Sequence, residues 1–146
     1  MRNFVVCVDF DDTLFSGSWD TVGTPVMPVI LQTKKFCDHP NCSVILWTCR
    51  EERLLADAIK RCEKFGIKFD AVNTDTFESL QWNMTNFGML GRCGGRKVFA
   101  DLYVDDKSPG SIVYFLSLDP EVAYQQVNGK KCQSNNGARK GVCGVK

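Results

Sequence analysis

The sequence predicts an α/β fold: a three-layer, Rossmann-like parallel sheet with helices on both faces and a minimal cap. Three observations lead there. Short apolar runs of strand type, near residues 5–8, 43–48 and 102–104, alternate with stretches of helical spacing. Each run ends in acids or a hydroxyl. No sizeable insert is visible between the strands. Strand–helix alternation implies parallel pairing through right-handed crossovers, and in such sheets ligands bind beyond the carboxyl ends of the strands.

The first strand is Val5-Val6-Cys7-Val8, short and β-branched, which fits a buried strand better than a helix. It runs into Asp9-Phe10-Asp11-Asp12-Thr13. Burying several ionised carboxylates is costly, so they belong where the strand leaves the core. Asp9 and Asp11 would face the same way if the strand continued. Read alone, this cluster suits a divalent cation, an acid–base pair with separated pKa values, or a polar turn.

Phe15 to Pro25 is rich in Gly and Ser and reads as a loop bordering whatever the acids bind; it carries Trp19. Pro28 opens a short helix to Cys37. Ser43 to Thr48 is the second strand, followed by Cys49 and Arg50. Arg50 suits either a substrate contact or a salt bridge to a nearby glutamate. A helix follows from about Glu51 to Phe65, with Leu54, Leu55, Ala58, Ile59, Cys62 and Phe65 on one face. Gly66 caps it.

Ile67 to Val72 is a weaker third strand. Thr76 to Gly95 has no clear period, and its glycines predict a loop with room for one helical turn. Leu102 to Val104 is the fourth strand and ends in Asp105-Asp106. Ile112 to Leu116 reads as a short fifth strand. Asp119-Pro120-Glu121 opens a helix through about Val127. From Asn128 the chain holds five Lys or Arg and no acid, so the division is a domain over 1–128 and a basic, flexible tail over 129–146.

At 146 residues the chain is long enough for a real core. A net charge of +1 excludes a strong overall draw to nucleic acid or membrane. Met1-Arg2-Asn3 leads straight into the first strand, so no signal peptide is expected and the location expected is cytoplasmic. The eight cysteines are then thiols. Cys7 and Cys62 read as small buried apolar residues. Cys37, His39 and Cys42 have the look of a zinc clip but lack a second paired ligand set.

The polar residues gather at one sheet edge: Asp9, Asp11 and Thr13 after strand one, Thr48 after strand two, Asp105 and Asp106 after strand four. Lys97, just before strand four, is within reach of that edge. Carboxylate oxygens suit Mg²⁺, while a lysine, a hydroxyl and helix N–H groups suit a phosphate. A carboxylate can itself be the nucleophile in phosphoryl transfer. No cysteine has an arginine six positions later, and no Gly-x-x-x-x-Gly-Lys-Ser/Thr or Gly-x-Gly-x-x-Gly loop is present.

Asp9-Phe10-Asp11-Asp12-Thr13 resembles the first motif of the haloacid dehalogenase-like (HAD) hydrolase superfamily, Asp-x-Asp-x-Thr after an apolar strand. Thr48, Lys97 and Asp105-Asp106 match the second, third and fourth motifs in order. The wording around Leu46 to Glu51 and Ala100 to Asp106 resembles small, capless members from bacteria and their phages. The resemblance implies a Mg²⁺-dependent phosphatase that hydrolyses a phosphate monoester through an aspartyl-phosphate. Asp9 would be the nucleophile and Asp11 the acid and base. The Asp9 carboxylate, the Asp11 backbone carbonyl and Asp105 would hold Mg²⁺, with Asp106 as an additional ligand. Thr48 and Lys97 would hold the phosphoryl oxygens, Lys107 being the alternative lysine. Asp12 replaces the glycine common at its position.

Two rivals remain: a phosphotransferase on the same residues, and a non-enzymatic phosphate- or nucleic-acid-binding module on the same fold. The partner expected is a phosphorylated substrate, with no membrane and nucleic acid not favoured. Its identity is carried by Phe15 to Pro25, Asn73 to Gly95, or a second copy in a homo-oligomer.

Overall fold

The computed structural model describes residues 1–17, 20, 23–87 and 97–129. Four parallel strands form the main sheet: β1 (Phe4–Val8), β4 (Cys42–Leu46), β5 (Ala71–Val72) and β6 (Leu102–Val104), in the order β5-β4-β1-β6. A two-stranded antiparallel ribbon, β2 (Phe15–Ser16) with β3 (Thr24–Pro25), lies between β1 and the first helix. The helices are α1 (Met27–Asp38), α2 (Glu52–Glu63), α3 (Phe77–Phe87), α4 (Ser111–Ser117) and α5 (Pro120–Gly129). None of the described helices is long and apolar enough to cross a membrane. The predicted α/β, Rossmann-like parallel sheet is the fold observed.

Every residue of β1 and β4 is buried, as expected for strands covered on both faces, where apolar residues run without alternation. The period of two then sorts them. Phe4, Val6 and Val8 join Val44, Leu46 and Val104 in the larger core, beneath Val29, Ile30 and Phe36 of α1, Ala58 and Cys62 of α2, Phe115 of α4 and Ala123 of α5. Val5, Cys7 and Ile45 face the other way, against Val98 and the half-buried Trp47, Phe99 and Tyr103. From α3, Trp82 reaches this layer, its ring 6.3 Å from that of Phe99. The layers are therefore unequal, with most helical cover on one face.

Register fixes the functional edge. Val8 aligns with Leu46 on one side and Val104 on the other. Asp9, Trp47 and Asp105 are thus the next residue out on three neighbouring strands. The chain runs outward from β1 to β4 and β5, then returns to lay β6 on the far side of β1. The direction of winding reverses between β1 and β6, and the carboxyl end of such a switch is where an α/β sheet opens a crevice.

Several elements differ from expectation. Ile112 to Leu116 is helix, within α4, not a fifth strand. Its β-branched and aromatic content favours a strand, but only Phe115 is buried, and ends bonded from elsewhere favour the helix. Ser111 at its start exchanges hydrogen bonds with the Asp105 backbone, and Gln32 of α1 donates to the carbonyls of Phe115 and Leu118 at 2.8 and 2.6 Å.

The span 76–95 contains the eleven-residue α3 where a loop was expected. Thr76 opens it by accepting from the Ser79 backbone at 3.2 Å, a side-chain cap. Phe77 is 68% exposed, so the helix lacks the apolar stripe that would reveal it in sequence. The third strand shrinks to Ala71–Val72 because the Asp70 carboxylate takes the Val44 amide at 2.7 Å, which ends the ladder there. Residues 15–25, read as loop, hold the β2–β3 ribbon. Trp19, the glycines from Gly88 to Gly95 and the tail beyond Gly129 lie outside the described residues.

Candidate functional site

Asp9 ends β1 by donating its backbone N–H to Val104 at 2.9 Å, so the first and fourth strands deliver their acids together. The chain then turns sharply. Leu14 and Phe15 both donate to the Phe10 carbonyl at 3.0 Å, and Asp12 sits at φ 56. That left-handed conformation suits glycine and is tolerated by aspartate. The turn buries Phe10, Thr13, Leu14 and Phe15 and leaves Asp9, Asp11 and Asp12 in contact with solvent.

One oxygen each from Asp9, Asp105 and Asp106 lies within 4.8 Å of the others. Burial pushes the Asp9 carboxyl up from 3.8 to about 7, opposed by a backbone hydrogen bond from Phe10 and the Thr13 hydroxyl, and reinforced by Asp105 and Asp11. Thr13 is fully buried; its hydroxyl donates to Asp9 Oδ2 at 3.3 Å and accepts from the Asp106 N–H at 3.0 Å. Asp105 is fixed by Ser111 and takes the Lys107 N–H on Oδ1 at 2.8 Å. The Lys107 ammonium pairs with Asp106 and holds that carboxyl below its ordinary value.

Asp11 stands apart from this trio. Its carboxylate accepts from Arg50 Nε at 3.1 and 3.0 Å and from Nη2 at 2.6 Å. Arg50 is 1% exposed, and its guanidinium lies over the Phe10 ring, 4.8 Å from the centroid. The arginine thus pairs with Asp11, where a nearby glutamate was the expected partner. Thr48, also buried, accepts from the Arg50 N–H at 3.2 Å. Asn73 clamps the Thr48 backbone, accepting from its N–H and donating to its carbonyl, both at 2.8 Å.

The structure therefore gathers Asp9, Asp11, Thr48, Asp105 and Asp106 at one edge. It does not bring Lys97 to the carboxylates. Lys97 is exposed, with its ammonium 5.1 Å from the Tyr103 ring centroid. Ser111, Asn73 and the Arg50–Asp11 pairing were missed. Asn73, closing a strand in a polar Asn-Thr-Asp run, carried some signal; a partner 39 positions away carries none in a single sequence.

Among the described residues, the acidic trio is the one group of His, Cys, Asp or Glu that converges tightly enough for an ion. The Cys37, His39, Cys42 clip does not form. His39 Nε2 lies 3.2 Å from Glu121, and Nδ1 accepts from the Asn41 N–H at 3.3 Å. Burial pushes the Cys7, Cys37, Cys42 and Cys62 thiols up to about 12, which suits inert core sulfur.

No family model and no curated protein matches the chain. Among solved structures, it is similar to a conserved protein from Bacteroides thetaiotaomicron, at 28% identity and TM-score 0.57, over 88% of this chain and 93% of that one.

Proposed function

We propose that the protein is a Mg²⁺-dependent phosphatase of the HAD type, hydrolysing a phosphate monoester by way of an aspartyl-phosphate on Asp9. One observation carries the reading: Asp9, Asp105 and Asp106 each turn an oxygen into a space no wider than 4.8 Å, at the switch point of a parallel sheet.

An all-oxygen, carboxylate donor set fits a hard divalent cation such as Mg²⁺. The raised Asp9 carboxyl points the same way, since buried neighbouring acids call for positive charge. Asp9, Asp105 and Asp106 would hold the ion with the Asp11 backbone carbonyl, and the bound ion would neutralise charge on the phosphoryl group.

In the first step an Asp9 oxygen attacks phosphorus, and the bond to the leaving oxygen breaks as Asp11 gives that oxygen a proton. In the second, Asp11 takes a proton from water, whose oxygen attacks phosphorus and frees the Asp9 carboxylate and phosphate. Thr48 and backbone N–H groups nearby bind phosphoryl oxygens. Lys97 would join them only by leaving the Tyr103 ring, which its flexible four-carbon stem allows.

The test is hydrolysis of p-nitrophenyl phosphate with and without Mg²⁺. Activity should require the metal and vanish in Asp9→Asn with the fold intact. A fully active Asp9→Asn protein would overturn the mechanism.

A further inference from the structure

Arg50 is placed to serve the reaction without touching it. It is fully buried, whereas the Asp11 side chain it binds remains 26% exposed, so the guanidinium lies behind the carboxylate and not in front of it. Its plane is fixed by the Phe10 ring, and Nε and Nη2 grip the carboxylate from one side. Its backbone is fixed as well, through Thr48 to Asn73, the residue after β5. A chain of side-chain and backbone hydrogen bonds thus crosses from the end of β5 to the acidic loop and ends on Asp11.

Stability alone does not explain such a pair. Two charges brought out of water are often matched or bettered by apolar groups of the same volume. A two-point grip by a planar group does what apolar packing cannot, which is to fix the rotation of a carboxylate.

We propose that Arg50 is the positioning residue for proton transfer by Asp11. It aims the carboxyl at the leaving-group oxygen in the first step and at water in the second, and contacts neither. The inference rests on the reading of Asp11 as acid and base given above.

Leaving-group dependence tests it. The parameter kcat/KM covers events only through the first irreversible step, here the transfer to Asp9. p-Nitrophenolate departs without a proton, whereas the alkoxide of 2-glycerol phosphate needs one. A positioned acid contributes roughly 100-fold or more. Arg50→Met should therefore lower kcat/KM on 2-glycerol phosphate by about that factor and on p-nitrophenyl phosphate by less than about fivefold.

Arg50→Lys should not rescue, because an ammonium cannot reproduce the planar grip; it also carries the test should Arg50→Met fail to fold. In an Asp11→Asn background, Arg50→Lys should add no further loss. Equal losses on both substrates, a risen KM with kcat unchanged, or losses that multiply with Asp11→Asn would each overturn the proposal. Asp9→Asn, assayed beside them, reports separately on the mechanism beneath it.

Discussion

The Thr13 hydroxyl joins the two acidic loops: it donates to the Asp9 carboxylate at 3.3 Å and accepts from the Asp106 backbone N–H at 3.0 Å. Thr13→Val is nearly isosteric and removes both bonds, stranding a partly buried N–H at a cost of about 1–3 kcal/mol. Asp9 and Asp106 would then lose their common tether. We expect kcat/KM to fall at least roughly tenfold and Mg²⁺ to bind more weakly, since each lost bond of this kind is worth about a factor of ten. Thr13→Ser keeps the hydroxyl and should recover most activity while melting lower for want of a methyl group. An active Val variant with unchanged Mg²⁺ affinity would show that the tether is dispensable.

Asp9 makes stability depend on pH and on metal together. Its carboxyl lies at about 7 in the fold against an ordinary 3.8, so the folded state holds the proton more tightly than the unfolded chain. The penalty for ionising it is absent below the unfolded value, grows as pH rises, and is complete above the folded value. Metal-free protein should therefore melt lower near about pH 8 than near about pH 5 through this group. Mg²⁺, which binds the ionised form, should raise Tm more at the higher pH. Asp9→Asn should flatten the pH response and melt above the wild type at the alkaline end without metal. Calorimetric scans at the two pH values decide it; an equal Mg²⁺ effect at both would remove Asp9 from the ion's ligands.

The two candidate lysines are distinguishable. Lys97 rests over the Tyr103 ring, while Lys107 is 79% exposed and paired with Asp106. An exposed pair contributes little, so Lys107→Met should leave kcat within about threefold. Lys97→Met should cut kcat/KM by about 100-fold if its ammonium stabilises the transferring phosphoryl group. The reverse pattern in steady-state kinetics would reassign that role to Lys107.

What the sequence disclosed and what it withheld follow from range. β1 and β4 were readable because strands buried on both faces are continuous apolar runs, and β6 because a short apolar run hands over to acids at the sheet edge. Asp9, Thr48 and Asp105 could be placed at one edge on that basis alone; register sets Asp9 and Asp105 level, with Thr48 one residue beyond the aligned Trp47. Composition misled at Ile112 to Leu116, where Gln32 and Ser111 hold a helix that local preference does not favour. It was silent at α3, whose first residue points an aromatic ring to solvent. Arg50 was the harder case, because Asp11 and Phe10, which give it meaning, are brought near only by the β1–β4 pairing.

Asn73 combines two such long-range properties, and they can be separated. Its backbone is left-handed at φ 53, and its side-chain amide clamps both backbone polar groups of Thr48. Asn73→Ala loses the clamp and adds about 1–2 kcal/mol of strain from a Cβ that cannot bond locally. Asn73→Gly loses the clamp but fits the conformation. If the clamp holds Thr48 for phosphate, KM should rise about tenfold in both variants, the loss expected of one hydrogen bond, while only the Ala variant shows the larger drop in Tm. A Gly variant with wild-type KM would mean that the turn alone sets Thr48, leaving the amide a structural role at the end of β5.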